Sequence, residues 1–155
     1  MTRQRERARG ARKRPGRSKS LPAGEVRRPL ILIAEDNADD RNLYAQYLRY
    51  DGFQVETVTD GATACRRAIQ LVPDLVVMDL TLPRIDGWAA TRELKGHPAT
   101  AHVPIVACTG HAFGPAVERA LDAGCDAYVV KPCLPADLAD EIRRVLQRSA
   151  LRRRA

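Results

Sequence analysis

"LILIAEDNADD", residues 30–40, drives an apolar run straight into Glu35, Asp36, Asp39 and Asp40. A run of branched apolar residues with no alternation is the pattern of a strand covered on both faces of a parallel sheet. The carboxylates behind it repel one another. Two like charges about 4 Å apart cost roughly 1 kcal/mol in water and about 4 kcal/mol at an effective dielectric near 20. The end of this strand therefore has to meet compensating charge.

Working outward, strand-sized runs rich in branched residues return as "FQVETV" (53–58), "DLVVMDL" (74–80), "PIVACT" (104–109) and "AYVV" (127–130), several of them apolar throughout. Between them the pattern predicts helices over 38–50, 61–71, 87–95 and 115–123, with a last one over 135–147. In that last segment Leu138, Ile142, Val145 and Leu146 share one stripe, while Arg143 and Arg144 face outward. Asp51-Gly52, Asp86-Gly87 and Ala123-Gly124 mark places where elements should end. Five strand–helix repeats imply right-handed crossovers and a doubly wound α/β fold with a five-stranded parallel sheet. Ligands of such sheets bind outside the carboxyl ends of the strands.

The strand ends are chemically consistent with one another. The first closes on Glu35-Asp36, the third on Asp79 and the fourth on Thr109, and the fifth is followed by Lys131-Pro132. Carboxylates, a hydroxyl and an ammonium brought to one place suit a divalent cation and a phosphoryl group, and oxygen donors point to Mg²⁺. Such a cation would compensate Glu35, Asp36 and Asp79. Asp39 and Asp40 have a local remedy, because the first turn of a helix favours negative charge by about 0.3–1 kcal/mol each.

Lys131 stands out for a compositional reason. The chain has 22 Arg and four Lys, so a lysine here runs against a strong bias, and a compact ammonium is not replaced by a planar guanidinium. Taken singly, these residues have plainer readings: Asp79 and Thr109 as helix caps, Asp36 as a turn former, Lys131 as a solvated charge.

The motifs "AEDN", "DLTLPRIDGW", "ACTGH" and "AGCDAYVVKP" resemble the receiver domain of bacterial two-component response regulators. The separations agree too: 43 residues from Asp36 to Asp79, 30 on to Thr109 and 22 on to Lys131. The resemblance covers residues 29–147. It implies a flavodoxin-like (βα)5 fold with strand order 2-1-3-4-5, and Asp79 as phosphoacceptor. It further implies Mg²⁺ held by Glu35, Asp36, Asp79 and the backbone carbonyl of Thr81, directly or through water. Thr109 and Lys131 would bind the phosphoryl group, and Pro132 would follow a cis bond. Tyr128 is open to two readings, a half-buried ring or the family's aromatic switch, and His111 to two more, a surface residue or a modulator.

Charge divides the chain. Residues 1–28 carry eleven Lys/Arg and two Glu, a net +9, and residues 148–155 add +4, whereas 29–147 carry −6. With almost no large apolar residues, 1–28 reads as a disordered basic tail and 148–155 as a short basic C-terminal tail. The 45% hydrophobic content of the whole chain supports one real core. No apolar run approaches a membrane span and no secretory h-region follows the N-terminus, so a cytoplasmic protein is expected. Cys65, Cys108, Cys125 and Cys133 lack metal-site spacing and read as free, mostly buried thiols.

The expected function is that of a single-domain response regulator. It takes a phosphoryl group from a histidine kinase or histidine phosphotransfer protein, catalyses only its own Mg-dependent phosphorylation and dephosphorylation, and reports to a downstream protein target. Only "RSALRRRA" follows residue 147, so output through a partner is expected. Two rivals remain. One is a receiver-fold scaffold whose basic tail binds nucleic acid or an anionic surface, with nucleic acid contacted through the tail alone. The other is a phosphohydrolase starting at Asp79-Leu80-Thr81, although that sequence lacks the acid–base Asp such enzymes place two residues on.

Overall fold

In the computed structural model, residues 24, 26–110 and 114–155 are described. The elements alternate: β1 (Leu30–Ala34), α1 (Ala38–Tyr50), β2 (Gln54–Val58), α2 (Gly61–Leu71), β3 (Leu75–Asp79), α3 (Gly87–Gly96), β4 (Ile105–Thr109), α4 (Pro115–Asp122), β5 (Ala127–Val130) and α5 (Pro135–Arg154). The sheet is parallel, in the order β2-β1-β3-β4-β5. This is the expected flavodoxin-like fold, and the strand order reverses between β1 and β3.

The strands β1, β3 and β4 show their two faces to different helices. Leu32, Ala34, Val76, Met78, Ile105 and Ala107 pack with Ala64, Ala68, Ala90, Leu94 and Ala120 of α2, α3 and α4. Ile31, Ile33, Leu75, Val77, Val106 and Cys108 pack with Tyr44, Leu48, Leu138, Ile142 and Val145 of α1 and α5. The central strands β3 and β4 are buried at every position, which is why their sequences show no alternation. Cys65, Cys108 and Cys125 are free and buried, and Cys133 is free and half-buried. Tyr44 turns into the core, while Tyr50 at the end of α1 is exposed.

Two expectations about boundaries give way. Asp86-Gly87 opens α3 instead of ending an element: the Asp86 carboxylate accepts from Ala89 N at 2.8 Å, a side-chain N-cap. Gly87 is required by close packing, because a Cβ there would run into the Asp79 carbonyl oxygen and Leu80 Cα. The segment 148–154, read as a tail, continues α5 to Arg154. The apolar stripe that marked the helix ends near Leu146, but Gln, Arg, Ala and Leu are strong helix formers, and arginine is favourable in the last turn. Most of residues 1–28, and His111, lie outside the described residues. Among the described residues no helix is long and apolar enough to cross a membrane.

Candidate phosphoryl and metal site

The loops that leave β1, β3, β4 and β5 converge where strand order reverses. Glu35 follows β1, and its amide donates to Val58 O at 3.1 Å, extending the ladder by one rung. Asp79 is the last residue of β3. Both side chains are buried, at 2% and 3% exposure, while Asp36 faces solvent. One carboxylate oxygen from each of Glu35, Asp36 and Asp79 lies within 4.8 Å of the others. All are hard oxygen donors, and the ammonium among them leaves the set net negative. The set fits a divalent cation bound through oxygen.

Asp79 is held from its own loop. The Thr81 amide and the Thr81 hydroxyl both donate to Asp79 Oδ1, each at 2.9 Å. That leaves Oδ2 toward Lys131, whose Nζ is 3.3 Å away. Lys131 Nζ also donates to Glu35 Oε2 at 2.8 Å and lies 3.8 Å from Asp40. The Lys131-Pro132 bond is cis, and the Lys131 amide donates to Thr109 O at 2.7 Å, so β5 delivers the lysine beside β4. Thr109 is itself buried at the end of β4.

Ionisation follows from these contacts. Burial pushes the Glu35 carboxyl up; Lys131 opposes this, but neighbouring Asp79 adds to it, and the result is about 7. Asp79 is also pushed up by burial, yet the Thr81 amide, Glu35 and Lys131 outweigh that and hold it below the usual carboxylate range. Lys131 is raised: desolvation lowers it, and the Glu35 and Asp79 carboxylates more than restore it. The site holds one ionised carboxylate, Asp79, one firmly protonated ammonium, Lys131, and one carboxyl, Glu35, that takes up a proton readily.

Every strand-end residue singled out from the sequence and lying within the described residues is in or beside this cluster, except Tyr128, which stands on β5 at 40% exposure. Asp39 and Asp40 occupy the first turn of α1, where Asn37 Oδ1 caps Asp40 N at 3.0 Å, but Asp40 also faces Lys131. One contributor was not apparent from the sequence. Arg41 Nη1 donates to the carbonyls of Glu35 and Asp36 at 3.1 and 3.2 Å, bracing the β1–α1 loop from behind. Beside the site, Trp88 in the first turn of α3 lies under the Arg119 guanidinium of α4, 4.1 Å from ring centroid to Cζ.

The family model for the response regulator receiver domain matches residues 31–143. The chain belongs to this family. The receiver is 32% identical over 102 residues to the polar-differentiation response regulator DivK of Brucella anthropi, covering 66% of the chain and 83% of the relative. It is 36% identical over 121 residues to a probable transcriptional regulator, ycf27, of Guillardia theta, covering 77% of the chain and 46% of the relative. The receiver spans about half the length of the transcriptional regulators it matches. Among solved structures, the receiver domain of a Pseudomonas aeruginosa sensor histidine kinase has a TM-score of 0.73 at 35% identity, with 78% of this chain and 99% of that chain covered. That structure carries a magnesium ion coordinated in its active-site cleft. Family membership favours phosphorylation-dependent signalling over a scaffold that serves only a basic tail, and response regulators are not classical enzymes.

Proposed function

We propose that residues 29–147 act as a phospho-accepting switch, with Asp79 taking a phosphoryl group from the phosphohistidine of a histidine kinase or phosphotransfer protein. The observation that carries this reading is the pairing of a buried, ionised Asp79 with Lys131 Nζ at 3.3 Å, beside Glu35 and Asp36. Asp79 Oδ2 attacks phosphorus in line; the new O–P bond forms as the P–N bond to the donor imidazole breaks, and the imidazole leaves. Glu35, Asp36, Asp79 and the Thr81 carbonyl would hold a Mg²⁺ ion, which would supply positive charge against the phosphoryl oxygens. Thr81 keeps Asp79 Oδ1 engaged, so that Oδ2 is the reacting oxygen.

After transfer, Lys131 pairs with a phosphoryl oxygen and the Thr109 hydroxyl donates to another. These contacts bias a two-state equilibrium in which β4, β5 and Tyr128 move, and a downstream protein reads the change. The receiver catalyses its own phosphorylation and dephosphorylation and no other turnover, in the cytoplasm.

A small phosphodonor such as acetyl phosphate with Mg²⁺ should label one site, labile to base and to hydroxylamine. Asp79→Asn should abolish that label. Persistent labelling of Asp79→Asn would move the acceptor elsewhere.

A further inference from the structure

The starting ends of the strands form a second pole, opposite the carboxyl ends that carry Glu35, Asp79 and Thr109. There the α3–β4 connection, the residue before β5 and the last turns of α5 enclose an open cavity of about 280 Å³. One wall is the α5 face made by Val145, Arg148, Ser149, Arg152 and Arg153, and the facing wall includes Lys95 and the imidazole of His102. That α5 face continues the stripe whose earlier turns bury Leu138, Ile142 and Val145 in the core. Just past Val145 the stripe turns cationic.

The charges around this space do not cancel. Lys95 and three arginines line it against Asp126 alone, a surplus of three positive charges. Asp126 is already engaged, accepting from Lys95 Nζ at 3.0 Å and from Ile105 N at 2.8 Å. Lys95 Nζ also donates to Val103 O at 2.8 Å, so both residues are fixed on their wall. On α5, Glu141 pairs with Arg144 at 2.7 Å. Among the described residues Arg152 and Arg153 have no ion pair, and Arg148 reaches Glu141 only at 3.6 Å. Arginine in a last helical turn offsets the helix dipole, which suits Arg152, Arg153 and Arg154 alike. It does not account for Arg148, a turn earlier, or for the facing of these side chains onto one recess.

Like charges gathered around one space repel unless an anion enters it. We propose that this cavity binds a small ligand with two adjoining phosphoryl groups, a diphosphate, held by the guanidinium groups of Arg148 and Arg152, with the Ser149 hydroxyl and the His102 imidazole as further donors. The surplus of charge calls for a polyanion, and guanidinium forks match phosphate oxygens in a bidentate geometry. Size narrows the class. The volume of about 280 Å³ stands at the foot of the roughly 300–1,000 Å³ range of ligand pockets, so the ligand is compact and its phosphates adjoin. A nucleic-acid strand, whose phosphates are spread along a backbone, would leave the recess unfilled. A bound diphosphate would tie the end of α5 to the α3–β4 connection and, through Asp126, to the starts of β4 and β5. None of Glu35, Asp36, Asp79 and Lys131 lines the cavity, so the inference goes beyond the phosphotransfer reading and does not depend on it.

The test is an amide-shift NMR titration of the isotopically labelled full chain with inorganic pyrophosphate, in Mg-free buffer at constant ionic strength, with sulfate as the comparison. Shifts should saturate and centre on Lys95, His102, Asp126 and residues 148–153, and pyrophosphate should bind more tightly than sulfate. Arg148→Gln/Arg152→Gln should weaken pyrophosphate binding at least about tenfold, the loss of one charge-assisted hydrogen bond. Arg148→Lys/Arg152→Lys, which keeps the charge without the fork, should lose less. Arg66→Gln/Arg92→Gln removes the same charge from exposed positions on α2 and α3 and should leave the affinity unchanged. Equal weakening by both neutralised pairs would reduce binding to net charge and overturn the proposal. Sulfate binding as tight as that of pyrophosphate would overturn the ligand class. Shifts centred on Asp79 and Lys131 would move the anion to the other pole, which sinks the cavity as its site and leaves the phosphotransfer reading intact.

Discussion

Lys131 Nζ is closer to Glu35, at 2.8 Å, than to Asp79, at 3.3 Å. In the proposed switch, the ammonium that meets the phosphoryl group starts on Glu35, a neighbour of the proposed acceptor, and its move to a phosphoryl oxygen would link chemistry to conformational change. Lys131→Arg keeps the charge but is longer and planar. It should still be labelled on Asp79, more slowly, yet lose the shift around Tyr128. NMR spectra with and without beryllofluoride read this out; a full wild-type shift pattern in the variant would remove Lys131 from the signalling route.

The carboxylates divide their work by position. Asp36 belongs to the cluster whose oxygens lie within 4.8 Å of one another, whereas Asp39 sits in the first turn of α1. Asp36→Asn should weaken Mg²⁺ binding at least about tenfold and slow phosphorylation, while Asp39→Asn should do neither strongly. A Mg²⁺ titration of both variants checks this, and equal losses would contradict it.

Glu35 gives the receiver a pH dependence of definite sign. Its folded pKa of about 7 lies above the ordinary 4.5, so its contribution to stability is fully present below about pH 4.5 and is lost as pH rises through about 7. With chelator present, Glu35→Gln should raise the melting temperature by a few degrees near pH 8 and leave it nearly unchanged near pH 4. Because protons compete with the cation for Glu35, added Mg²⁺ should stabilise the wild type more near pH 8 than near pH 5.5. A flat Mg²⁺ effect across that range would show that Glu35 does not take part in binding.

Gly87 packs its backbone against the residue proposed to be phosphorylated. A Cβ at this position meets the Asp79 carbonyl and Leu80 Cα, both backbone atoms that cannot swing aside. Gly87→Ala should destabilise by about 1–3 kcal/mol, as overpacking does, and should depress Asp79 labelling more than it depresses the fold's midpoint in urea. Gly96→Ala, where nothing lies within 4 Å, serves as the neutral comparison.

What could be read from the sequence and what could not separate along physical lines. The central strands advertise themselves through uninterrupted branched residues, and the edge strands β2 and β5 through short runs rich in branched residues, so all five were legible, and with them the pole where Glu35, Asp79, Thr109 and Lys131 meet. Lys131 was legible for a second reason, its contrast with an arginine-rich background. Arg41 was not, because its role is to donate to backbone carbonyls, and carbonyls carry no residue-specific signal. The approach of Asp40 to Lys131 was hidden in the same way, since a helix-start carboxylate looks alike with or without a distant partner. The last two turns of α5 escaped notice because an apolar stripe reports where a helix packs, and this one continues beyond its packing surface.

The stacking of Trp88 under Arg119 joins α3 to α4 at the edge of the site, and Trp88 is the only tryptophan in the chain. The receiver therefore contains its own optical probe. A guanidinium 4.1 Å from an indole ring perturbs its emission, so any displacement of α4 relative to α3 changes the fluorescence of the unlabelled protein. Stopped-flow mixing with a phosphodonor would then time any movement of α4 directly, against the proposed chemical step at Asp79.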